Sequence, residues 1–156
     1  EILPMTHSQY IVQKLIVGFI CGGLSSIITV CICFRLSLQN ASLILVLIVL
    51  SAFVAALIGL FIGRTSNELM VGVVYIKIVM LLFMAVPIAS FLVGVSNPLI
   101  RAICYLVPSQ ATFEGIMDLV NGGTGIIGKD IAILAVHCVV WFLLYLLISK
   151  RQKKHA

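Results

Sequence analysis

Residues 43–62 read "LILVLIVLSAFVAALIGLFI", a run of 20 residues without a charge. As an α-helix this run is about 30 Å long, which matches the thickness of the hydrocarbon core of a bilayer. A soluble domain has about 45–50% apolar and about 25% charged residues, whereas this chain has 62% and 10%. The run therefore predicts an integral membrane protein.

Three further apolar runs of spanning length lie on either side of it, at about 15–34, 71–95 and 131–148. Four spans place both ends of the segment on one side, and the basic tail at 150–156 makes that side cytoplasmic. We therefore expect a multi-pass protein of the cell membrane, with a cytoplasmic segment at 1–14 and a transmembrane domain at 15–149. Because the chain begins at Glu1 rather than at a methionine, we also expect a part upstream of it.

The region between the third and fourth spans predicts two short helices on the outer side, at about 98–107 and 110–121. Asn97 is placed as an N-cap, Pro98 at the first helical position, and Pro108 as a stop. The first helix is half the length that spanning requires. The predicted fold is all-α: a polytopic transmembrane helical bundle whose outer helix pair either re-enters the bilayer or lies in its interface.

The second of these short helices has an amphipathic pattern that predicts one apolar and one polar face. The apolar positions are Phe113, Ile116, Met117 and Val120. The polar face is predicted to carry Glu114, Asp118 and Asn121, and the glycines at 122 and 123 to end the helix.

Small residues recur at four-residue spacing along the first two spans, a pattern that lets helix backbones approach closely in lipid. These ridges predict helix packing at seven positions, namely Gly18, Gly22, Ser26, Ser51, Ala55, Gly59 and Gly63.

The apolar runs carry little chemistry, because none of the four predicted spans contains an aspartate or glutamate. His137, beside Cys138, is the one deeply placed histidine, and more often such a group bonds to a neighbouring helix than acts as a ligand or proton site. The cysteines lack the spacing of a zinc site, and no phosphate-binding loop is present. We expect no catalytic residue, no metal, no cofactor held by this chain and no nucleic-acid partner.

The N-terminal stretch "LPMTHSQYIVQK" at 3–14 predicts a capped helix that runs into the first span. Thr6 and Gln9 form a T-x-x-Q capping box, Pro4 stiffens the approach, and Lys14 suits the headgroup level. In order with the spans and the outer helix pair, this stretch resembles the membrane subunit of a type-2 ABC exporter. The resemblance rests on Leu3 with these four residues, on Asn97–Pro98 and Pro108–Ser109, and on the single final span with its basic tail. It covers the chain as the C-terminal four of six spans.

The resemblance implies a permease that couples to a separate cytoplasmic ATP-binding subunit, where ATP and Mg²⁺ would bind, and that pairs with a second permease copy or paralogue among membrane lipids. Pro4, Thr6, Gln9 and Lys14 would couple to the ATPase. Asn97, Pro98, Pro108, Glu114 and Asp118 would form the outer gate, with the two acidic groups meeting polar substrate or headgroups.

Two alternatives use the same sequence features. A membrane interaction protein without an ATPase, such as an immunity or assembly factor, would need the same ridges and amphipathic helices. An intramembrane enzyme would use His137 with a cysteine, and it would lose its activity when His137 alone is changed. The substrate and the identity of the second permease are not encoded in a recognisable motif.

Overall fold

The computed structural model describes residues 7–34, 40–66, 68–93, 98–123 and 127–152. Within these ranges the chain forms helices and no strand, as predicted. The helices are α1 (His7–Phe34), α2 (Ala41–Thr65), α3 (Leu69–Val93), α4 (Pro98–Cys104), α5 (Pro108–Val120) and α6 (Ile127–Gln152). The predictions for Pro4, Thr6 and Asn97 fall outside the described residues.

Four helices are long and apolar enough to cross a membrane: Gln9–Ile32, Ala41–Thr65, Leu69–Val93 and Ile127–Ile148. The fold is therefore the predicted all-α bundle of a multi-pass membrane protein. The fourth spanning helix begins at Ile127 rather than near 131, so its first turn includes Asp130. Asp130 lies outside the predicted span at 131–148, and its side chain is fully buried among protein atoms, with Oδ1 3.2 Å from the phenolic oxygen of Tyr105.

Helix α2 lies at the centre of the bundle and contacts α1, α3, α5 and α6. Its buried residues include the consecutive positions 56–58, so they do not fall on a single stripe. A helix that is hydrophobic all round belongs in a core rather than at a surface, and the run that predicts membrane insertion is also the run around which the other helices pack.

The buried side chains form two clusters along α2. One surrounds Leu47, which is fully buried, and joins α2 to Ala111 and Leu119 of α5 and Leu134 of α6. The other surrounds Val54, Ile58 and Ile62, against which Phe83 and Trp141 pack. Since the first cluster includes α5, the short outer helix is part of the bundle core.

The boundary between α4 and α5 differs from the prediction at Pro108. This proline is the first residue of α5 rather than a stop after the preceding helix, a position where its missing N–H costs nothing. At the other end, the N–H groups of Gly122 and Gly123 donate to the carbonyls of Leu119 and Asp118. Gly122 has a φ of 80°, so the helix ends in a Schellman motif, as the two glycines predict.

The buried face of α5 is also rotated relative to the predicted one. Ala111, Gly115 and Leu119 are buried, whereas Val120 is 42% exposed and the other predicted apolar positions are half-buried. A Cβ added at Gly115 would lie 2.9 Å from Cδ1 of Leu47. The small residues therefore set the docking face, because close approach to α2 outweighs the larger apolar surface of Phe113 and Ile116.

Helix α3 lies at the edge of the bundle, where only Pro87 is buried. It contacts α2, α4 and α5, and the ring of its Phe91 packs edge-on against Phe113, with the centroids 6.0 Å apart. The outer helix pair therefore lies between α3 on one side and α6 on the other.

Candidate functional site

A cluster of polar side chains lies where the outer helices meet the spans. We call it the outer polar cluster, and it consists of Arg101, Tyr105, Gln110, Glu114 and Asp130. Helix α4 supplies the arginine, the α4–α5 connection the tyrosine, α5 the glutamine and glutamate, and the first turn of α6 the aspartate. Side chains that are distant in sequence thus converge at one end of the bundle.

Glu114 is the acceptor at the middle of this cluster. The Tyr105 hydroxyl donates to it, Arg101 Nη2 donates over 2.8 Å, and Gln110 Nε2 donates over 2.6 Å. Burial of the carboxyl raises its pKa, but these three donors outweigh burial, and the pKa of Glu114 lies below its ordinary value. Glu114 is therefore held as a carboxylate. The same ion pair raises the pKa of the Arg101 guanidinium.

Tyr105 links Glu114 to Asp130, whose Oδ1 lies 3.2 Å from the phenolic oxygen. Burial, followed by the hydrogen bond with Glu114, raises the pKa of Tyr105, so the phenol keeps its proton. The ammonium of Lys129 lies 4.1 Å from the centroid of the same ring, within range of a cation–π interaction. Asp130 is fully buried, and its Oδ2 has no hydrogen-bond partner among the described residues.

The cluster also reaches α3 and the interior of α6. Gln110, which is 1% exposed, donates to the Ser90 hydroxyl over 2.9 Å. His137 Nε2 lies 3.0 Å from the backbone carbonyl of Tyr105, and since a carbonyl only accepts, Nε2 carries the proton. The helix pair α4–α5 is therefore hydrogen-bonded to both neighbouring spans, α3 and α6.

A cavity of about 470 Å³ lies below α5, between α1, α2 and α3. Its wall is mostly apolar, and no charged residue lines it among the residues that the structure describes. The Ser51 and Thr112 hydroxyls, 2.7 Å apart, join α2 to α5 on this wall. The buried Ser109 hydroxyl has no hydrogen-bond partner in the described part of the chain. Such a cavity accommodates an apolar or amphipathic molecule that carries a few hydrogen-bonding groups.

The predicted gate residues separate in the structure. Glu114 lies in the outer polar cluster, and Pro108 lines the cavity. Pro98 begins α4 and is exposed, while Asp118 lies one turn beyond Glu114 on α5 and is half-buried.

The predicted packing residues line open spaces as well as helix contacts. A Cβ added at Gly18 would lie 3.7 Å from Cβ of Ala56, an ordinary contact, whereas one added at Gly22, Gly59 or Gly63 would meet nothing within 4 Å. The cavity below α5 is lined by Gly22, Ser26, Ser51 and Ala55, and a second cleft by Gly18, Ala55, Gly59 and Gly63. The packing role of these positions stays a prediction.

Two of the predicted coupling residues are described. Gln9 and Lys14 lie in the first two turns of α1 with exposed side chains, and Lys14 Nζ is 5.2 Å from the centroid of the Tyr10 ring. Gly18 lies beside Ala56 and Gly23 beside Ala52, so α1 and α2 run antiparallel. Because α5 meets α2 near Leu47, Gln9 and Lys14 lie at the opposite end of the bundle.

Sequence reasoning missed most of the outer polar cluster. It gave no role to Arg101, Tyr105, Gln110 or Asp130. A signal existed for Asp130, because a charged pair, Lys129–Asp130, directly precedes an apolar run. No sequence signal indicates that Gln110 is buried, since its partners are Ser90 of α3 and Glu114 on the next turn of α5.

Comparison with known proteins gives one match. The family described as "ABC-2 family transporter protein" matches residues 2–147, nearly the whole chain. No curated protein and no solved structure matches the sequence.

Proposed function

The chain belongs to the ABC-2 family of transporter proteins and is a membrane component of an ABC transporter, and we propose that it forms the substrate pathway of an ATP-driven exporter. In this proposal ATP and Mg²⁺ bind to a separate cytoplasmic subunit, and the chain pairs with a second permease, either a copy of itself or a paralogue. The ends of the segment face the cytoplasm, since the basic tail lies there by the positive-inside rule.

The cavity below α5 is the observation that carries this proposal. It combines a volume of about 470 Å³ with an uncharged, largely apolar wall. A bare ion would pay a large desolvation penalty in such a space. We therefore propose that the transported molecule is apolar or amphipathic, and that Ser51, Ser109 and Thr112 offer it hydrogen bonds.

The outer polar cluster supports a gating role for α4 and α5. Helix α5 closes one end of the cavity through Pro108, Thr112 and Phe113. Gln110 bonds the pair to Ser90 of α3, and Tyr105 contacts Asp130 of α6. Release of the molecule to the outer side then requires α5 to move away from α2. That movement breaks the Ser51–Thr112 hydrogen bond and the contact between Tyr105 and Asp130. The free energy of ATP binding and hydrolysis can offset this cost.

The coupling segment is proposed to extend from residue 3 to Lys14. Its described part, the first turns of α1, is a continuous helix with the span that lines the cavity at Gly22 and Ser26. A push on Gln9 from a soluble partner would therefore be transmitted along one rigid element to the cavity.

Coupling is tested by ATP-driven transport in vesicles that contain the complete transporter. We expect Thr6→Ala/Gln9→Ala to lower transport several-fold while membrane insertion is unchanged. Gln13→Ala is the matched control, because Gln13 is exposed on the next turn of the same helix. Transport at the normal rate in the Thr6→Ala/Gln9→Ala variant would contradict the coupling role.

The intramembrane enzyme is not favoured by the contacts of its proposed residues. His137 donates to the Tyr105 carbonyl, whereas Cys138 Sγ lies 3.8 Å from the Leu50 carbonyl, so the two side chains have different partners. The second candidate is an interaction protein without an ATPase. Co-purification of the chain with or without a soluble ATPase distinguishes the two candidates.

A further inference from the structure

A second cleft, which we call the basic cleft, lies at the end of the bundle opposite to the outer helices. It has a volume of about 480 Å³ and lies between the start of α1, the end of α2 and α6. Lys14 and Arg64 line it together with Tyr10, Tyr145, Gly59 and Gly63. It shares Ala55 with the cavity below α5 but otherwise has its own lining.

The charges of the basic cleft all have one sign. Among the described residues its lining includes two cationic side chains and no acidic one. Lys14 precedes the apolar part of α1, and Arg64 lies in the last turn of α2. We expect both side chains to lie near the depth of the lipid headgroups, because they are cationic groups toward the same ends of apolar helices. A phosphate is an abundant anionic partner at that depth.

The floor of the cleft is suited to a hydrocarbon chain. Gly59 and Gly63 are exposed, and an added Cβ at either position would meet no protein atom within 4 Å. The missing side chains leave a groove along α2 that starts beside Arg64 and runs toward the bilayer centre. A small hydrated anion would gain nothing from this apolar groove, whereas a lipid would fill it.

We propose that the basic cleft binds one anionic phospholipid, with its phosphate between Lys14 and Arg64 and one acyl chain along Gly59 and Gly63. The lipid contacts the same turn of α1 that leads from the coupling segment, yet the site does not depend on the proposed transport function. The affinity of the basic cleft for a lipid depends on the charge of the lipid headgroup and on the open groove that holds the acyl chain.

The test uses the complete transporter in nanodiscs of phosphatidylcholine that contain a small fraction of photoactivatable lipid with the reactive group on the acyl chain. One sample contains phosphatidylglycerol as this probe and the other phosphatidylcholine, and labelled peptides are mapped by mass spectrometry. We expect phosphatidylglycerol to label the α2 segment at 59–64 at least fivefold more than phosphatidylcholine, since each basic residue near an anionic lipid contributes roughly fivefold.

Two kinds of variant separate charge from shape. Lys14→Gln/Arg64→Gln should remove the preference for phosphatidylglycerol, while neutralisation of Lys150, Arg151, Lys153 and Lys154 should keep it. Gly63→Leu should block labelling of the groove by filling it. Gly22→Leu is its matched control, because that glycine also faces open space but lines the other cavity.

Three results would overturn the proposal. The first is equal labelling by the two probes. The second is labelling that neither Lys14→Gln/Arg64→Gln nor Gly63→Leu changes. The third is a cross-link from position 63 to another protein chain instead of to lipid. If the doubly neutralised protein does not fold, Gly63→Leu against Gly22→Leu still decides the outcome.

Discussion

The phenolic oxygen of Tyr105 lies 3.2 Å from Oδ1 of Asp130, which joins the corner between the two outer helices to the first turn of the last spanning helix. Asp130 is fully buried. A buried carboxyl group is costly unless it is hydrogen-bonded or neutralised, so this contact favours the docked position of α4 and α5. In the proposed gating role, the docked pair is the closed state of the gate.

Loss of the Tyr105 hydroxyl should loosen the gate. Tyr105→Phe keeps the ring but removes the donor to Glu114 and the contact with Asp130, and leaving a buried group unpaired costs about 1–3 kcal/mol. We expect faster hydrogen exchange in residues 98–123, measured by mass spectrometry, with little change in α2. Tyr75→Phe, at an exposed position of α3, should have no such effect. Unchanged exchange at 98–123 in Tyr105→Phe would contradict the role of the Tyr105 hydroxyl in holding α4 and α5 in place.

The packing of α4 against α5 should also depend on pH, because Glu114 accepts hydrogen bonds from Arg101 of α4 and from Tyr105 in the connection. The folded pKa of Glu114 lies below the ordinary value of 4.5, so the carboxylate contributes stability that is fully present above pH 4.5 and is lost as the pH falls through the folded pKa. We expect exchange at 98–123 to be constant between neutral pH and about pH 5, after correction for the intrinsic exchange rate, and to rise below pH 4.5.

Glu114→Gln should weaken this dependence because it removes the titrating group, whereas Asp118→Asn, one turn along α5, should preserve it. A rise of the same size in the wild type and in Glu114→Gln would show that another group controls docking.

The close approach of α5 to α2 predicts a steric effect at Gly115. Its added Cβ would lie 2.9 Å from the fully buried Leu47 side chain and 3.5 Å from Cβ of Asp130, so Gly115→Leu forces the helices apart. Overpacking of this kind costs about 1–3 kcal/mol. Thermal unfolding in detergent should shift to lower temperature, while Gly128→Leu, at a glycine facing open space, should leave it unchanged. An equal shift in the two variants would mean that α5 has room to adjust.

Filling the cavity below α5 should block transport without affecting assembly. Ser51 lines this cavity and bonds to Thr112, so Ser51→Leu occupies the space and breaks the link between α2 and α5. We expect ATP-driven transport to fall several-fold, with the permease still bound to its ATPase. Ser25→Leu, at an exposed position of α1, is the control. Normal transport in Ser51→Leu would place the pathway elsewhere.

The fold could be predicted from the sequence to the extent that hydrophobic length and turn residues determine it. The run at 43–62 is long and apolar enough to predict a span by itself. The glycines at 122 and 123 predict the end of α5, because glycine readily adopts a φ of 80° such as that of Gly122. Pro108 was assigned to the wrong side of its boundary, since a proline can follow one helix and begin the next.

Residues of the site could be predicted only where a charged side chain stands out in the apolar sequence around it. Glu114 was identified because it is acidic and lies on the predicted polar face of an amphipathic helix. The donor Gln110 lies four residues before Glu114 on the same helix, a spacing at which side chains meet. The donors Arg101 and Tyr105 come from α4 and from the connection, and no local pattern in the sequence indicates that they meet Glu114. Asp130 was missed because a hydropathy boundary excludes charged residues, although a carboxyl group can lie inside a helix when a tyrosine from elsewhere in the chain bonds to it.

Whether this chain is the permease of an ATP-driven transporter is decided by its purification from native membranes in mild detergent, with its partners identified by mass spectrometry. We expect a stoichiometric soluble ATPase that carries a phosphate-binding loop, together with a second permease. Recovery of the intact protein without any ATPase, under conditions in which known transporter complexes stay assembled, would contradict this expectation and would favour a membrane interaction protein.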